Sequence, residues 1–510
     1  MNAPNFPASS QPSSSQRYLL EVLVFFLCLF CVTASGRLAS VDAGSQLQAS
    51  VLLATTGRLG SSNAPAGMPL WWPGTDGKSY QAHDLGNVLL MLPSAWTSST
   101  VDKRPEQDQM WSPSVIAKVG VSLTYACLAA LGCWGLFILF AQDYSQRVAF
   151  VLSLGLPCCT FYWAYARAAW DVMGASCAFV AIMLTARRLM DGNNPWRWLI
   201  GLSVATAVTC TFRYSLGPFV VPPVLAAVWM TRRHLRPVQV VAGIACFGAL
   251  MVPTLIYNHV RTGEFWRPAT ASAVYLAGDN ALTGNMVSGA AGLLFAPNGG
   301  VFIFAPVVLL ICFLPWVWRC LRPGQVRLLT FFGLGAIGYL GLISRMKNWG
   351  AFGWGPRYLV PVLPLIYYAA ALVAARLWNR IRWSILALVV VSLVAALPPA
   401  LINWSLTITR IEGGMDRHSV TPRQIVGAWQ VLAGGLAGQA LPLGREALDD
   451  PDRKGAGNFP DIWLFRLIEI GGAMSAFGRF LVASLLVALL TLGFRLLRQQ
   501  TVVACPAIKD

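Results

Sequence analysis

Twelve apolar stretches divide this chain, near residues 18–35, 113–141, 148–165, 170–188, 197–212, 215–231, 238–257, 300–318, 328–345, 358–375, 383–402 and 476–495. Most approach the roughly 20 residues that an α-helix needs to cross a hydrocarbon core. In that core a backbone N–H or C=O finds no water, so each segment has to satisfy its own hydrogen bonds, and helices do this. The expected fold is therefore all-α: a polytopic integral membrane protein of about twelve transmembrane helices, with short helices in its loops. Composition agrees, since 56% of the 510 residues are hydrophobic and 12% are charged. A soluble domain carries roughly twice that charge. The net charge of +17 could suit a polyanion. The basic residues lie between apolar runs rather than on one face, however, so orientation in the membrane accounts for them and no nucleic-acid partner is expected.

Arginine placement gives that orientation. With the N-terminus in the cytoplasm, "ARRLMDGNNPWR", "TRRHLRP", "RCLRPGQVR", "RLWNRIR" and the tail "FRLLRQQ" fall on the cytoplasmic side, each with at least two arginines. The short connections around Arg167 and Arg213, on the other side, carry one each. The alternation keeps phase across every span and places both termini inside a bacterial inner membrane. The organisation that follows has five parts: a disordered cytoplasmic N-terminus at 1–17; a core of about seven helices at 18–257, including an extracytoplasmic loop at 36–112; a loop at 258–299 and four helices up to 402; a loop at 403–475; and a last helix with its cytoplasmic tail at 476–510. The first span could end as a cleaved signal near "VTASG", but its flank holds one Arg and many spans follow, so a retained helix is the better reading.

Soluble-enzyme signatures are missing: there is no Gly-rich phosphate loop, HExxH, GxSxG elbow or cluster of metal ligands. The twelve cysteines lie mostly in or beside apolar runs, where Cys acts as a small hydrophobe. The acidic run in "LDDPDRKGAGNFPDIW" has the look of a DxD metal motif, but nucleotide sugars are cytoplasmic and this segment is not, so it reads as a solvated loop. The remaining candidates are ionisable and aromatic residues at the outer boundary. Asp42, in "SVDAGSQLQAS", could take a proton from an attacking hydroxyl, with desolvation raising its pKa toward the working range. It could equally cap the helix that follows. In "YARAAWDVMGAS", Arg167 and Asp171 stand four apart, as for a local ion pair, or Asp171 is a second carboxylate facing the same cavity as Asp42. "SRMKNWGAFGWGPRYLVPVLPL" supplies Arg345, Lys347, Trp354 and Arg357, either to grip a phosphate beside aromatic faces or to anchor helix ends at the interface.

These stretches together resemble the bacterial GT-C-type membrane glycosyltransferases, the superfamily of protein mannosyltransferases and the aminoarabinose transferase of lipid A. "SVDAGSQLQASVLLATTGRLG" is similar to the family's acidic residue and helix after the first span. "GTDGKSYQAHDLGNVLLMLP", "TFYWAYARAAWDVMGA", "AAGLLFAPNGGVFIFAPVVLL" and "WGAFGWGPRYLVPVLPL" resemble later segments in the same order, over about 18–375. In many members a second acidic residue adjoins the first, whereas here Ala43 follows Asp42. The resemblance implies sugar transfer from a polyprenyl-phosphate donor to a lipid, glycan or protein acceptor on the extracytoplasmic face, with inversion. It implies catalytic roles for Asp42 and Asp171, phosphate binding by Arg357, Lys347 and Arg345, and substrate binding by His83, Asp84, Tyr165, Arg167 and Trp354. A divalent cation is possible, although the chain shows no clear motif for one. Two other readings of the same layout are a transporter or flippase and a polyprenyl-diphosphate-dependent glycan ligase or polymerase. Carriers usually hold ionisable residues near the midplane, and here the charges gather at the outer edge.

Overall fold

The computed structural model describes residues 14–38, 40–63, 70–192, 194–268, 282–350, 353–405, 408, 422–437, 461–464 and 472–498. The N-terminal tail up to 13, most of the loop at 403–475 with its acidic run, His418 and Cys505 lie outside these residues.

The helices in chain order are α1 (Ser14–Thr33), α2 (Val41–Thr56), α3 (Leu85–Val101), α4 (Glu106–Trp111), α5 (Val115–Ala141), α6 (Gln146–Cys158), α7 (Tyr162–Ala166), α8 (Asp171–Met190), α9 (Pro195–Phe212), α10 (Gly217–Thr231) and α11 (Pro237–Thr262). They continue with α12 (Met286–Phe295), α13 (Pro323–Ser344), α14 (Leu363–Leu401), α15 (Arg423–Leu436) and α16 (Gly472–Arg498), plus short helical pieces between Val301 and Cys320. Among the described residues eight helices are long and apolar enough to cross a membrane, so the chain is a polytopic helical protein with fewer long spans than the twelve expected.

The shortfall has local causes. The stretch at 148–165 stops early, because α6 ends at Cys158 and α7 is a separate turn. The one at 300–318 breaks into Val301–Phe304, a 3-10 segment Pro306–Phe313 and Leu314–Val317. Pro306 and Pro315 each remove a backbone donor there. In α9 the opening "PWRW" and the hydroxyl residues dilute the apolar character. The stretches at 358–375 and 383–402 are two helices that meet at a kink at Ile381 (φ −130°, ψ 32°); with no loop between them they are labelled together as α14 and count as a single long stretch.

Around the core, α1 packs on α5 and α16, α5 on α8, α8 on α9, and α9 on α11. Lipid tails are as apolar as the side chains, so such packing depends on close fit more than on water exclusion. At Gly86 the fit is absolute: a Cβ there would stand 2.7 Å from Phe212 Cα, so α3 reaches α9 only because residue 86 has no side chain.

The loop at 36–112 folds onto one end of the bundle. It contains α2, α3, α4 and a small sheet, which the all-α expectation did not include. Strands β1 (Gly60–Ser61), β2 (Trp71–Pro73) and β3 (Ser79–Gln81) pair antiparallel in the order β1-β3-β2, with Tyr80 opposite both Gly60 and Trp72. A buried polar chain ties the loop down. Tyr125 of α5 donates to Asn87 Oδ1 at 2.5 Å, and Asn87 donates to Gln46 Oε1 at 2.7 Å.

Candidate functional site

The helix after the first span is capped by Ser40 rather than by Asp42. Ser40 has extended backbone angles (φ −155°, ψ 160°) and its hydroxyl accepts from the Ala43 N–H at 3.2 Å, as serine does at helix starts. Asp42 is thereby left in the first turn of α2 with its carboxylate free to face outward from the helix. Arg357 meets it there: Nη2 donates to Asp42 Oδ2 at 2.7 Å. His83, just before α3, places Nε2 3.6 Å from Asp42 Oδ1, inside electrostatic range and beyond hydrogen-bond length.

Arg357 is held by aromatic faces as well as by charge. It starts the 3-10 segment Arg357–Val362 that leads into α14, and its guanidinium lies 4.2 Å from the Trp170 ring centroid. Trp170 is fully buried, and its indole N–H donates to the Ser40 hydroxyl. The capping serine, the tryptophan, the arginine and Asp42 therefore form one closed chain of contacts. Tyr165 and Trp404 pack on Trp170 with both centroids at 5.5 Å. Gly353 completes the fit, because a Cβ there would stand 2.4 Å from the Tyr165 hydroxyl oxygen and 2.9 Å from Arg357 Cβ.

A second ion pair lies alongside. Arg213 Nη1 donates to Asp171 Oδ2 at 3.2 Å, so Asp171 does not pair with Arg167. The i,i+4 rule needs an unbroken helix, and none runs from 167 to 171: α7 ends at Ala166, Ala169 takes a left-handed conformation (φ 53°), and α8 starts at Asp171. The two ion pairs share a wall. The Tyr358 ring lies 4.9 Å from the Arg213 guanidinium and 5.8 Å from that of Arg357. Asp84, at the start of α3, accepts the Tyr214 N–H on Oδ2 at 2.9 Å.

The charges set each other's titration. Burial pushes the Asp42 carboxyl up, but Arg357 and His83 outweigh it and hold it well below the usual carboxylate range. The desolvation-raised pKa expected from its position is thus overturned by its partners. Burial pulls the His83 imidazole down, and the Asp42 charge overcomes this and raises it above its ordinary value. Asp84 goes up, chiefly through burial, with the Asp171 charge adding to it.

The other sequence candidates fall elsewhere. Arg167 is buried with its guanidinium committed: Nη1 donates to the Pro399 carbonyl at 2.5 Å and the Ile402 carbonyl at 2.8 Å, and Nη2 to the Asp461 carbonyl and, at 3.2 Å, to Asp461 Oδ2. Asp461, expected in a solvated loop, is buried between Arg167 and Arg37, the latter at 3.7 Å. Trp354 is a core residue, edge-on to Phe304 at 5.5 Å, and its indole N–H has no acceptor among the described residues. Arg345 and Lys347 are exposed after α13, with Arg345 donating to the Leu282 carbonyl at 3.2 Å.

A divalent cation would need several oxygen or nitrogen donors converging. Among the described residues no three His, Cys, Asp or Glu side chains do so, and Asp42 and Asp171 each face a guanidinium. The described donors do not make a cation cage.

No protein-family model matches the chain, and no curated protein sequence matches it. This chain is similar to two solved structures. The crystal structure of ArnT from Cupriavidus metallidurans in the apo state is 15% identical with a TM-score of 0.47, over 95% of this chain and 76% of that one. The archaeal oligosaccharyltransferase AglB from Archaeoglobus fulgidus, in complex with an inhibitory peptide and a dolichol-phosphate, is 11% identical with a TM-score of 0.43, over 92% of this chain and 60% of that one.

Two members of the cluster, Arg213 and Ser40, and the buried Asp461 beside Arg167 escaped the sequence reading. Arg213 was counted only as a loop charge, although a lone arginine between two apolar helices needs a counter-ion. Ser40 carried the stronger capping signal, one residue before the start of α2. Nothing local marks Asp461, whose partners Arg37 and Arg167 come from far earlier in the chain.

Proposed function

We propose that this protein is a GT-C-type membrane glycosyltransferase that moves a sugar from a polyprenyl-phosphate donor to a hydroxyl of a lipid, glycan or protein acceptor on the extracytoplasmic face. The observation that carries the reading is the 2.7 Å contact between Asp42 and Arg357, with the Asp42 side chain still 22% exposed. A group that can take a proton and a group that can take a phosphate meet in one place that water and substrate can reach. The order of motifs along 18–375 supports the same reading.

The steps follow from the two groups. The acceptor hydroxyl gives its proton to Asp42, and its oxygen attacks the anomeric carbon. The bond from that carbon to the phosphate oxygen breaks, and polyprenyl phosphate leaves with the electron pair and the developing negative charge. Arg357 meets that charge with a fixed guanidinium that needs no reorganisation at the moment of reaction. A single displacement of this kind inverts the anomeric centre. Asp171, held by Arg213, positions the acceptor, and Arg345 and Lys347 on the exposed rim draw the phosphate toward Arg357.

At rest Arg357 keeps Asp42 a weak base. A donor phosphate competes for the guanidinium, and as the ion pair loosens, burial is opposed by His83 alone and the Asp42 pKa rises. Donor binding therefore prepares the base.

The test compares wild type with Asp42→Asn in nanodiscs, supplied with a panel of polyprenyl-phosphate sugars and an envelope extract as acceptor source. Release of polyprenyl phosphate by wild type and its near-complete loss in the folded variant are expected. Equal release by both would remove Asp42 from the chemistry.

A further inference from the structure

The bundle carries a second recess, well away from Asp42. A cavity of about 840 Å³ lies between α6 and the two arms of the bent α14, within the size range of lipid and cofactor pockets. Along α6 its lining recurs at helical spacing from Arg147 through Val151 and Leu154 to Cys158, with Tyr144 in the turn just before the helix. These positions make one face roughly 16 Å long at 1.5 Å per residue. Across from it, α14 contributes Tyr367 and Trp378, and beyond the bend Val389. Tyr367 fixes the depth of the trough by donating to the Leu152 carbonyl at 2.6 Å. The walls are apolar for most of that length.

One end differs. Arg147 lines the mouth and is exposed, with no ion pair or hydrogen bond among the described residues. Tyr144 and Asn379 lie at the same end, with Arg376 three residues before Asn379 on α14. Of the other arginines at this end, Arg17 and Arg495 pair with Glu21, and Arg187 and Arg322 pair with Asp143, while Arg376 and Arg380 flank the mouth on α14 without an ion pair among the described residues. An apolar trough of hydrocarbon-chain length that opens on an unpaired guanidinium fits an amphiphile with an anionic head.

We propose that this trough holds an anionic phospholipid of the bilayer, its acyl chain along α6 and its phosphate at Arg147. A polyprenyl-phosphate donor shares that head chemistry but belongs elsewhere. Its phosphate has to meet Arg357, and 21 residues of helix separate Arg357 from Trp378 at the mouth of the trough, roughly 30 Å. The bound phospholipid wedges α6 against the bend of α14 from the leaflet opposite the reacting groups, independently of what the Asp42 site does.

The full-length protein is tested by native mass spectrometry after exposure to equimolar phosphatidylglycerol and phosphatidylethanolamine of matched chain length. Phosphatidylglycerol adducts are expected to dominate about fivefold, as one basic side chain at an anionic lipid surface implies. Arg147→Gln should abolish the preference and Arg147→Lys should keep it, while Val151→Trp, filling the trough, should lower retention of both lipids. Equal retention by wild type, a preference untouched in Arg147→Gln, or total lipid retention untouched in Val151→Trp, overturns the site. Displacement of phosphatidylglycerol by equimolar polyprenyl phosphate overturns the occupant.

Discussion

Two clusters at opposite ends of the bundle use the same chemistry differently. At one end Asp143 is closed in: Oδ1 accepts from Arg187 at 3.3 Å and Arg322 at 3.1 Å, Oδ2 accepts from Gln325 at 3.0 Å, and the side chain is 2% exposed. At the other end Asp42 has one short contact to Arg357, a looser one to His83, and a fifth of its surface open. A buried charge costs several kcal/mol unless its hydrogen bonds are filled. Asp143 meets that demand completely and so behaves as a rivet joining α5, α8 and α13. Asp42 meets it in part and keeps capacity for a substrate.

Five measurements would break or sharpen this contrast. The largest effect is expected at the open site, where Asp42→Asn should lower turnover by roughly 10²–10⁴, the range for losing a general base, while the melting temperature moves by only a few degrees. Asp143→Asn should do the reverse. Arg187 keeps Asp191 at 3.3 Å and Arg322 is 41% exposed, so the loss should be about 1–3 kcal/mol, the cost of an impaired buried hydrogen-bond network, read as a lower melting temperature in detergent, while any folded fraction turns over at the wild-type rate. Arg213→Gln should raise the acceptor KM by roughly tenfold, the equivalent of one hydrogen bond to a charged group, because Asp171 is then free to swing. An unchanged KM would make the Asp171–Arg213 pair structural.

The fourth concerns pH. His83 titrates above its ordinary value because of Asp42. Its stabilising contribution is therefore complete below the unfolded histidine pKa of about 6.5 and is lost as pH rises through the folded value. The melting-temperature advantage of wild type over His83→Gln should shrink from pH 6 to pH 9; a constant gap would mean that the imidazole carries no charge-dependent contact. The smallest effect is at Ala169, whose left-handed backbone costs an L-residue about 1–2 kcal/mol. Ala169→Gly relieves this and loses most of the gain to unfolded-chain entropy, leaving a net stabilisation of about 0.5 kcal/mol by thermal melting.

The long helices were legible because a hydrocarbon solvent writes its demands locally: apolar length marks a span wherever it occurs. Asp42 and Arg357 were legible for the related reason that a charge at the edge of an apolar run calls for an explanation. Their meeting was not, since 315 residues separate them and pairing across a fold has no local signature. Where a local rule was applied to Arg167 and Asp171, one left-handed residue between them undid it. The division between the spans at 358–375 and 383–402 was legible from the charged "RLWNRIR" between them, where the kink at Ile381 falls, whereas the helix breaks at Pro306 and Pro315 were visible in sequence yet outweighed by the apolar run around them.

The clamp around Arg167 also orders events during synthesis. Its acceptors are the carbonyls of Pro399 and Ile402, 232 and 235 residues later in the chain, and both the carbonyl and carboxylate of Asp461, 294 residues later. At about 5–20 residues per second, the ribosome delivers Asp461 roughly 15–60 s after Arg167 has emerged. For that interval the guanidinium has to stay at a wet boundary, and the α7–α8 turn that carries it stays unlocked. Trp170, three residues on, supplies the face on which Arg357 rests, so the groups proposed to react come into register only near the end of translation. A half-made chain is thereby kept inert, and any truncation before residue 461 leaves an unanswered cation for quality control to find.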